Sequence, residues 1–195
     1  MIKIICALAL SVTATAGLAD DGFSFYGGVS KSLASGDFDF RSYTRSDFEG
    51  EPSGYFVGVD YDRNRYFIGL EINVLQPHCD YSDNSCGNDN LQGIHRVGRN
   101  YYNFVDLMDI KVRLGTNLGN DSTKIYGIAG LSTGLWSDDS SSWDAAEGTL
   151  FGFGAEYEIY RGLTIGGELI KRSSTAGSEL DFGLNTTQIR MLYRY

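Results

Sequence analysis

Proline, cysteine and histidine are scarce in this sequence, and their scarcity limits the kinds of protein it can encode. The 195 residues include 2 prolines, 3 cysteines and 2 histidines, against 25 glycines, 13 tyrosines and 11 phenylalanines. Abundant glycine and aromatic residues, with few strong helix-forming runs, favour an all-β domain. Beyond residue 19 no apolar run is long enough for a membrane helix, so entry into a membrane would require a closed β-barrel.

Positive charge is also in short supply. The chain has 16 Lys and Arg against 25 Asp and Glu, which gives a net charge of −9. Nucleic-acid binding needs clustered basic residues, so we expect no nucleic-acid partner. The acidic balance does not exclude a membrane, because a protein that spans lipid need not be attracted to it electrostatically.

The N-terminal segment has the three parts of a secretory signal peptide. A lysine precedes an apolar core at residues 4–16, and residues 17–19, Gly-Leu-Ala, form a small-x-small cleavage site. Residues 14–16 offer a competing site. We expect residues 1–19 to be removed, which would leave residues 20–195 as a single domain. Because the removed segment carries one positive charge, the net charge of the remaining chain would be −10.

Alternating side-chain character predicts a series of β-strands. Residues 54–61 and 66–74 each place an unbroken apolar row opposite a row containing glycine and carboxylates, with a tight turn between them. Residues 124–134 are small or apolar in both rows, so their facing stays open. The predicted strands are eight in number and lie at 22–32, 54–61, 66–74, 104–115, 124–134, 149–159, 163–169 and 185–195.

The connections between these strands alternate in length. Long polar segments are predicted at about 33–50, 76–101, 137–147 and 173–183, and short turns after the second, fourth and sixth strands. Short periplasmic turns opposite long external loops are typical of outer-membrane barrels. The pattern therefore predicts an eight-stranded antiparallel up-and-down transmembrane β-barrel. A soluble lipocalin-like barrel or β-sandwich is the alternative. The core of such a domain needs large side chains, whereas the polar rows here are rich in glycine.

The last strand carries the resemblance to a known family. One row of this strand ends in an aromatic residue with apolar residues before it, and the row comprises Ile189, Met191, Tyr193 and Tyr195. It resembles the C-terminal assembly signal of bacterial outer-membrane barrels, and the whole pattern is similar to the small eight-stranded OmpX, OmpA-barrel and Opa-like group. The resemblance implies a monomer in the cell outer membrane, with the barrel-assembly machinery, outer-membrane lipid and lipopolysaccharide as partners. It also implies a structural or adhesin-like surface role through external loops, whose ligand the sequence does not specify.

The same strand phases place charged side chains away from lipid, in the barrel interior. A Lys or Arg facing lipid near the midplane would cost about 2–4 kcal/mol, which fixes the phase. Such charges must pair in a narrow bore, and we expect Arg190 to reach Glu168, and Lys111 and Arg113 to reach Glu71. The predicted interior charges are Glu71, Asp109, Lys111, Arg113, Glu156, Glu168, Arg190 and Arg194.

Residues able to carry chemistry are few. The only histidines, His78 and His95, lie in the second long connection, and no predicted strand brings one to a serine or aspartate. Their spacing with Cys79 and Cys86 does not match zinc patterns, so we expect no catalytic residues, metal or cofactor. In an oxidising compartment we expect a Cys79–Cys86 disulfide. An enzyme acting on lipid A or another envelope lipid and a narrow channel are the alternative functions.

Overall fold

The computed structural model describes residues 22–40, 44–76, 94–97, 100–119, 122–138, 143–176 and 180–195. The expected signal peptide and the expected Cys79–Cys86 disulfide lie outside these residues. The described strands are β1 (Phe23–Phe40), β2 (Thr44–Gly50), β3 (Ser53–Arg63), β4 (Tyr66–Gln76), β5 (Ile94–Val97), β6 (Asn100–Leu118), β7 (Thr123–Asp138), β8 (Trp143–Tyr160), β9 (Leu163–Ala176) and β10 (Leu180–Arg194).

Eight of these strands close into an antiparallel barrel, as predicted. The neighbour order runs β10, β9, β8, β7, β6, β4, β3, β1, and β10 pairs back with β1. Following the register from Phe23 across every neighbour returns to β1 at Leu33, ten residues further along the strand. Such a stagger accompanies tilted strands, and a barrel of eight strands has a bore just wide enough for side chains to fill.

The predicted long connection at about 33–50 is wrong, because most of it is strand. β1 continues to Phe40. Its outer half pairs with β2 and its inner half with β3, and the register is the same in both pairings. The only break between β2 and β3 falls at Glu51 and Pro52. Proline has no N–H to donate, so it interrupts the ladder, while its carbonyl still accepts a 2.9 Å hydrogen bond from the Ser32 amide.

The other three long connections are also shorter than predicted. β5 pairs with the start of β6, which begins at Asn100. β7 continues to Asp138 and β8 begins at Trp143, whereas β9 continues to Ala176 and β10 begins at Leu180. These extensions lack the long outward apolar row of the membrane strands; in β10, for example, Phe182 and Leu184 are buried, whereas Asp181 is exposed. Backbone pairing needs no apolar face, so periodicity underestimates strands that extend beyond a membrane.

Side chains alternate in and out along every barrel strand. In β7, whose facing was open, Tyr126 and Ile128 are buried, whereas Ile125 and Leu131 are exposed. Outward-facing aromatic rings gather at the end of the barrel that carries the short turns, as in the interfacial girdles of membrane barrels. They are Phe23, Tyr61, Tyr66, Tyr157, Tyr160, Tyr193 and Tyr195. Within the described residues, no helix is long and apolar enough to cross a membrane.

Candidate functional site

The interior of the barrel is filled by charged side chains of both signs. Among the described residues, five carboxylates and five cations are buried, so their formal charges cancel. Asp62 and Arg194 add one further charge of each sign where the short-turn end of the bore opens. The ten buried groups are Asp60, Glu71, Asp109, Glu156, Glu168, Lys111, Arg113, Lys124, Arg172 and Arg190.

Glu71 of β4 is the centre of this network. Its carboxylate accepts hydrogen bonds from Lys111 at 3.1 Å, from the Tyr26 hydroxyl at 3.0 Å and from Arg190 at 2.5 Å. The Arg113 guanidinium lies 3.5 Å away. One carboxylate therefore lies against three buried cations and lowers the cost of burying them in a low-dielectric interior.

Glu168 of β9 shares two of these cations across the bore. Lys111 donates to it at 2.8 Å, and the Arg190 guanidinium forms an ion pair with the same carboxylate. The Tyr126 hydroxyl adds a hydrogen bond of 3.0 Å. Lys111 therefore bridges Glu71 and Glu168, two carboxylates on strands that do not neighbour one another, and so ties opposite walls of the barrel together.

Glu156 of β8 joins the central network to the short-turn end. It accepts hydrogen bonds of 2.7 Å from Arg113, 2.9 Å from the Tyr126 hydroxyl and 3.0 Å from Arg194. Arg194 also donates to Asp60 at 2.5 Å. The network is therefore continuous from the middle of the bore to the last residue of β10.

A cluster at the short-turn end closes the bore there. Lys124 of β7 donates to Asp60 at 3.2 Å and to Asp62 at 2.9 Å. The Asn117 amide donates to Asp62 at 3.0 Å. These contacts join β3, β6 and β7 across the opening, so even the partly exposed end of the lumen is tied by hydrogen bonds.

A separate cluster occupies the bore toward the external end. Arg172 of β9 binds both carboxylate oxygens of Asp109, through Nε at 3.0 Å and Nη2 at 2.6 Å, in the bidentate geometry that makes Arg–carboxylate pairs strong. Ser132 donates to Asp109 at 2.8 Å and Asn73 at 3.3 Å. Arg172 also donates to the Thr186 hydroxyl at 2.7 Å. Four strands thus meet at Asp109, and β10 joins them through Thr186.

Aromatic rings fill the space between the charges. The Arg113 guanidinium lies 4.0 Å from the centre of the Tyr126 ring, and the Arg190 guanidinium 3.9 Å from that of Phe56. Gly154 makes room for Tyr126, since a Cβ there would come within 2.6 Å of the ring. Gly58 accommodates the Tyr26 ring in the same way, so glycines of the inward rows leave space for aromatic rings of the neighbouring strands.

The structure places all eight interior charges predicted from the sequence inside the barrel, and brings Glu168 to Arg190 and Glu71 to Lys111 and Arg113. The interior charges not predicted are Asp60, Lys124 and Arg172, together with Asp62 at the short-turn mouth of the bore. Arg172 continues the inward row of Thr164 and Glu168, but the strand was predicted to end at residue 169. Lys124 is the first residue of the strand predicted at 124–134, for which the sequence did not show which row points inward.

The four residues of the expected assembly signal lie on the outward row at the C-terminus. Ile189 and Met191 are exposed on β10, and the Tyr193 and Tyr195 rings contact each other with centres 4.9 Å apart. The Tyr195 amide donates to the Phe25 carbonyl at 2.8 Å, which extends the β1–β10 seam by one more bond. Within the described residues, no group of His, Cys, Asp and Glu could hold a metal ion.

The family model for the outer membrane protein beta-barrel domain matches residues 4–194. The chain belongs to the outer membrane protein beta-barrel family. Its members reside in the outer membrane, so the exposed apolar rows of this barrel face lipid and its short-turn end faces the periplasm. The charged network described above is therefore the content of a transmembrane bore.

Solved structures agree with this fold. The barrel is similar to Ail, the attachment invasion locus protein of Yersinia pestis, with 13% identity, a TM-score of 0.53 and coverage of 87% of this chain and 98% of Ail. A structure of Ail in complex with the heparin analogue sucrose octasulfate gives 14% identity, a TM-score of 0.54 and coverage of 88% and 99%. Neisserial surface protein A has 12% identity and a TM-score of 0.48 over 87% of this chain and 96% of its own. No curated protein matches the sequence.

Proposed function

We propose that this protein is a non-enzymatic, monomeric barrel of the outer membrane whose bore is closed and whose external segments contact the surroundings of the cell. The observation that carries the proposal is the charge-balanced network inside the bore. Groups from all eight barrel strands contribute to it. Glu71, Glu156 and Asp109 each accept at least three hydrogen bonds, and Glu168 accepts two and forms an ion pair with Arg190.

A closed bore follows from how these side chains are held. Ion conduction requires a continuous path of water or weakly held polar groups, whereas Lys111, Arg113 and Arg190 are fully buried and bound to carboxylates from opposite walls. Opening a path through the middle would separate those pairs at a cost of several kcal/mol each. The narrow-channel alternative therefore has little support.

Planar-bilayer recording tests the closed bore. We expect the folded wild-type protein to show no sustained open conductance. The double variant Glu168→Ala/Arg190→Ala removes a pair of opposite charges together and leaves space in the bore, so it provides a matched comparison in which leak conductance should appear. Folding of both proteins is checked by faster migration of unheated samples on a denaturing gel. Regular open steps in the wild type would overturn the proposal.

The external segments carry the net negative charge of the protein. Segments 37–51, 79–99, 137–147 and 174–184 contain fourteen acidic and four basic residues, a net charge of −10 that accounts for all of the charge of residues 20–195. A basic protein surface complements such a charge. Ail has been solved with a sulfated heparin analogue, and the acidic segments here make a similar polyanion a poor partner for this chain.

Adsorption measurements separate the two kinds of partner. We expect the folded protein to pass through immobilised heparin and to bind a poly-lysine surface in a manner that weakens with salt. The matched control neutralises one external segment, with Asp138→Asn, Asp139→Asn and Asp144→Asn, and should bind poly-lysine less well. Retention on heparin at physiological salt would contradict a cationic partner.

The absence of an enzymatic role is the remaining part of the proposal. None of the described buried side chains is a histidine or a cysteine. The Asp109 carboxylate that accepts from Ser132 is bound on both oxygens by Arg172 and buried with the serine inside the bore, away from a lipid substrate. The alternative, an enzyme acting on lipid A or another envelope lipid, is tested by mass spectrometry of lipid A from wild-type and deletion strains. Identical spectra are expected, and a missing modification in the deletion strain would establish the enzymatic reading.

A further inference from the structure

Two lysines lie on the outward face of the barrel, where the other side chains are mostly apolar. Lys31 of β1 and Lys171 of β9 are both exposed, and β10 runs between their strands. Each lies eight residues beyond the first residue of its strand at the periplasmic end, Phe23 or Leu163. With a rise of 3.3 Å per residue and a tilt near 40°, that distance corresponds to about 20 Å of height. The apolar band of such barrels is about 25 Å tall, so the two ammonium groups reach the level of the outer-leaflet headgroups.

Among the described residues on the opposite side of the barrel, no such polar patch lies at this height. Val74 of β4 and Leu131 of β7 also lie eight residues beyond the first residues of their strands, and both point outward. They continue the apolar band where β9, β10 and β1 instead present lysine, asparagine and threonine. The polar patch is therefore a feature of one side of the barrel and not of the whole rim.

The surface between the two lysines is an open depression of about 1330 Å³. Its floor is formed by the short side chains of β10, where Asn185 pairs in register with Lys171, and Thr187 with Leu169. Bulky apolar side chains, among them Phe151 and Phe153, border it on the β8 side. A ligand that fits this surface has a polar head at the height of Lys171 and apolar chains that run down beside the phenylalanines.

Of the two lysines, Lys171 is the one available to a ligand. Lys31 is already held by Glu51, whose carbonyl accepts a 2.7 Å hydrogen bond and whose carboxylate lies 3.5 Å away. Lys171 forms no hydrogen bond or ion pair with any described residue. Its register neighbours Asn185 and Phe151 are uncharged, and the carboxylates of Glu49 and Glu51 lie on the far edge of the depression, beyond β10 and β1.

We propose that this depression binds a lipid A molecule of the outer leaflet, with a phosphate on Lys171, hydrogen bonds from Asn185 and Thr187, and acyl chains against Phe151 and Phe153. Charge complementarity and the division into a polar upper and an apolar lower half select a phosphorylated lipid. Lipid A is favoured because the depression opens at the external end of a barrel in the outer membrane. The proposal is independent of whether the bore is closed and of what the external segments bind.

Native mass spectrometry of the full, folded chain in detergent tests the site, with lipid A, dephosphorylated lipid A and phosphatidylglycerol as separate probes. Lys171→Gln should weaken lipid A binding about fivefold, the effect of one lysine near an anionic surface. Lys171→Arg keeps the charge and should bind as wild type. Arg65→Gln removes an exposed cation at the periplasmic end and should change nothing.

The outcomes are distinct. Binding that falls in Lys171→Gln but not in Lys171→Arg or Arg65→Gln, and that needs the phosphates of lipid A, supports the site. Equal binding by Lys171→Gln and Arg65→Gln would refute a specific role of Lys171. Equal binding of dephosphorylated lipid A would show that acyl contacts alone hold the lipid, and equal binding of phosphatidylglycerol would overturn the assignment to lipid A. Thr187→Leu fills the depression and should also weaken lipid A binding without altering the gel mobility of the folded barrel.

Discussion

Arg172 and Lys171 are adjacent in sequence and carry the same charge, but they lie on opposite faces of β9. Arg172 is fully buried and binds both oxygens of Asp109, whereas Lys171 is exposed and has no ion pair with a described residue. The difference arises because successive residues of a strand face opposite sides of the wall. Inside the bore a charge must be neutralised by the protein itself. At the outer rim, water or a lipid headgroup can do the same.

The comparison extends to the two faces of the whole barrel. In a soluble domain the hydrophobic side chains are buried and the charges exposed, but here most of the described isoleucines and leucines are exposed on the outside while carboxylates and guanidinium groups occupy the centre. Lipid takes the place of a hydrophobic core for the outward rows. The inward rows form a polar core whose stability depends on pairing, because every unpaired charge retains its desolvation penalty. The stability of the protein should therefore respond most strongly to single changes inside the bore.

The largest expected effect is that of removing Glu71. Glu71→Ala leaves Lys111, Arg113 and Arg190 with too few carboxylates, and we expect the free energy of unfolding to fall by about 3–5 kcal/mol, the usual loss when one partner of a buried pair is removed. Urea unfolding in detergent micelles measures the change. Glu147→Ala at the exposed rim is the control and should change it by about 0.5 kcal/mol or less. A similar small loss for both variants would contradict the central role of Glu71.

The next effect compares the neighbours on β9 directly. Arg172→Ala should lower the free energy of unfolding by about 3 kcal/mol, because Asp109 is left buried without its cation. Lys171→Ala should change it by about 0.5 kcal/mol or less, as expected for an exposed residue. Both variants can be followed by the temperature at which the fast-migrating folded band disappears from a gel. Equal shifts would contradict the assignment of the two side chains to opposite faces.

A double-mutant cycle on Glu168 and Arg190 measures one interior pair in isolation. Each single alanine variant should destabilise the barrel, and the double variant should recover part of the loss, with a coupling energy of about 0.5–3 kcal/mol. Recovery is expected because removal of both partners leaves fewer uncompensated charges than removal of one. Strictly additive losses would show that the pair does not interact in the folded protein.

The smallest effect on stability is expected at the C-terminus. Tyr195→Asp places an acid at the interface, where an acidic side chain costs about 0–1 kcal/mol. Its effect should instead appear in assembly, with less protein in the outer membrane and more in the periplasm, if the assembly machinery recognises the terminal aromatic residue. Tyr160→Asp, in an exposed position at the same end of the barrel, is the control. If Tyr195→Asp reached the same level in the outer membrane as the control, recognition of the terminal aromatic residue would be contradicted.

The strand periodicity was sufficient to predict the barrel, because lipid demands an apolar outward row wherever a strand crosses the membrane. This requirement for an apolar outward row predicted that the side chains of Lys111, Arg113 and Arg190 point into the bore, without knowledge of their contacts. The prediction from periodicity failed where the strands extend beyond the membrane. The outer parts of β1 and β2 are strands whose outward side need not be apolar, and periodicity assigned them to a loop.

Sequence alone therefore determined the number of barrel strands, which rows face lipid, and the charges that enter the bore from strands of clear phase. Tertiary structure alone decided which charges meet. Lys111 lies between Glu71 and Glu168 only because the ten-residue stagger brings β4, β6 and β9 to a common height. Such stagger depends on how the sheet closes, a property of all eight strands together. No single segment specifies it, so the contacts across the bore appear only when the barrel is complete.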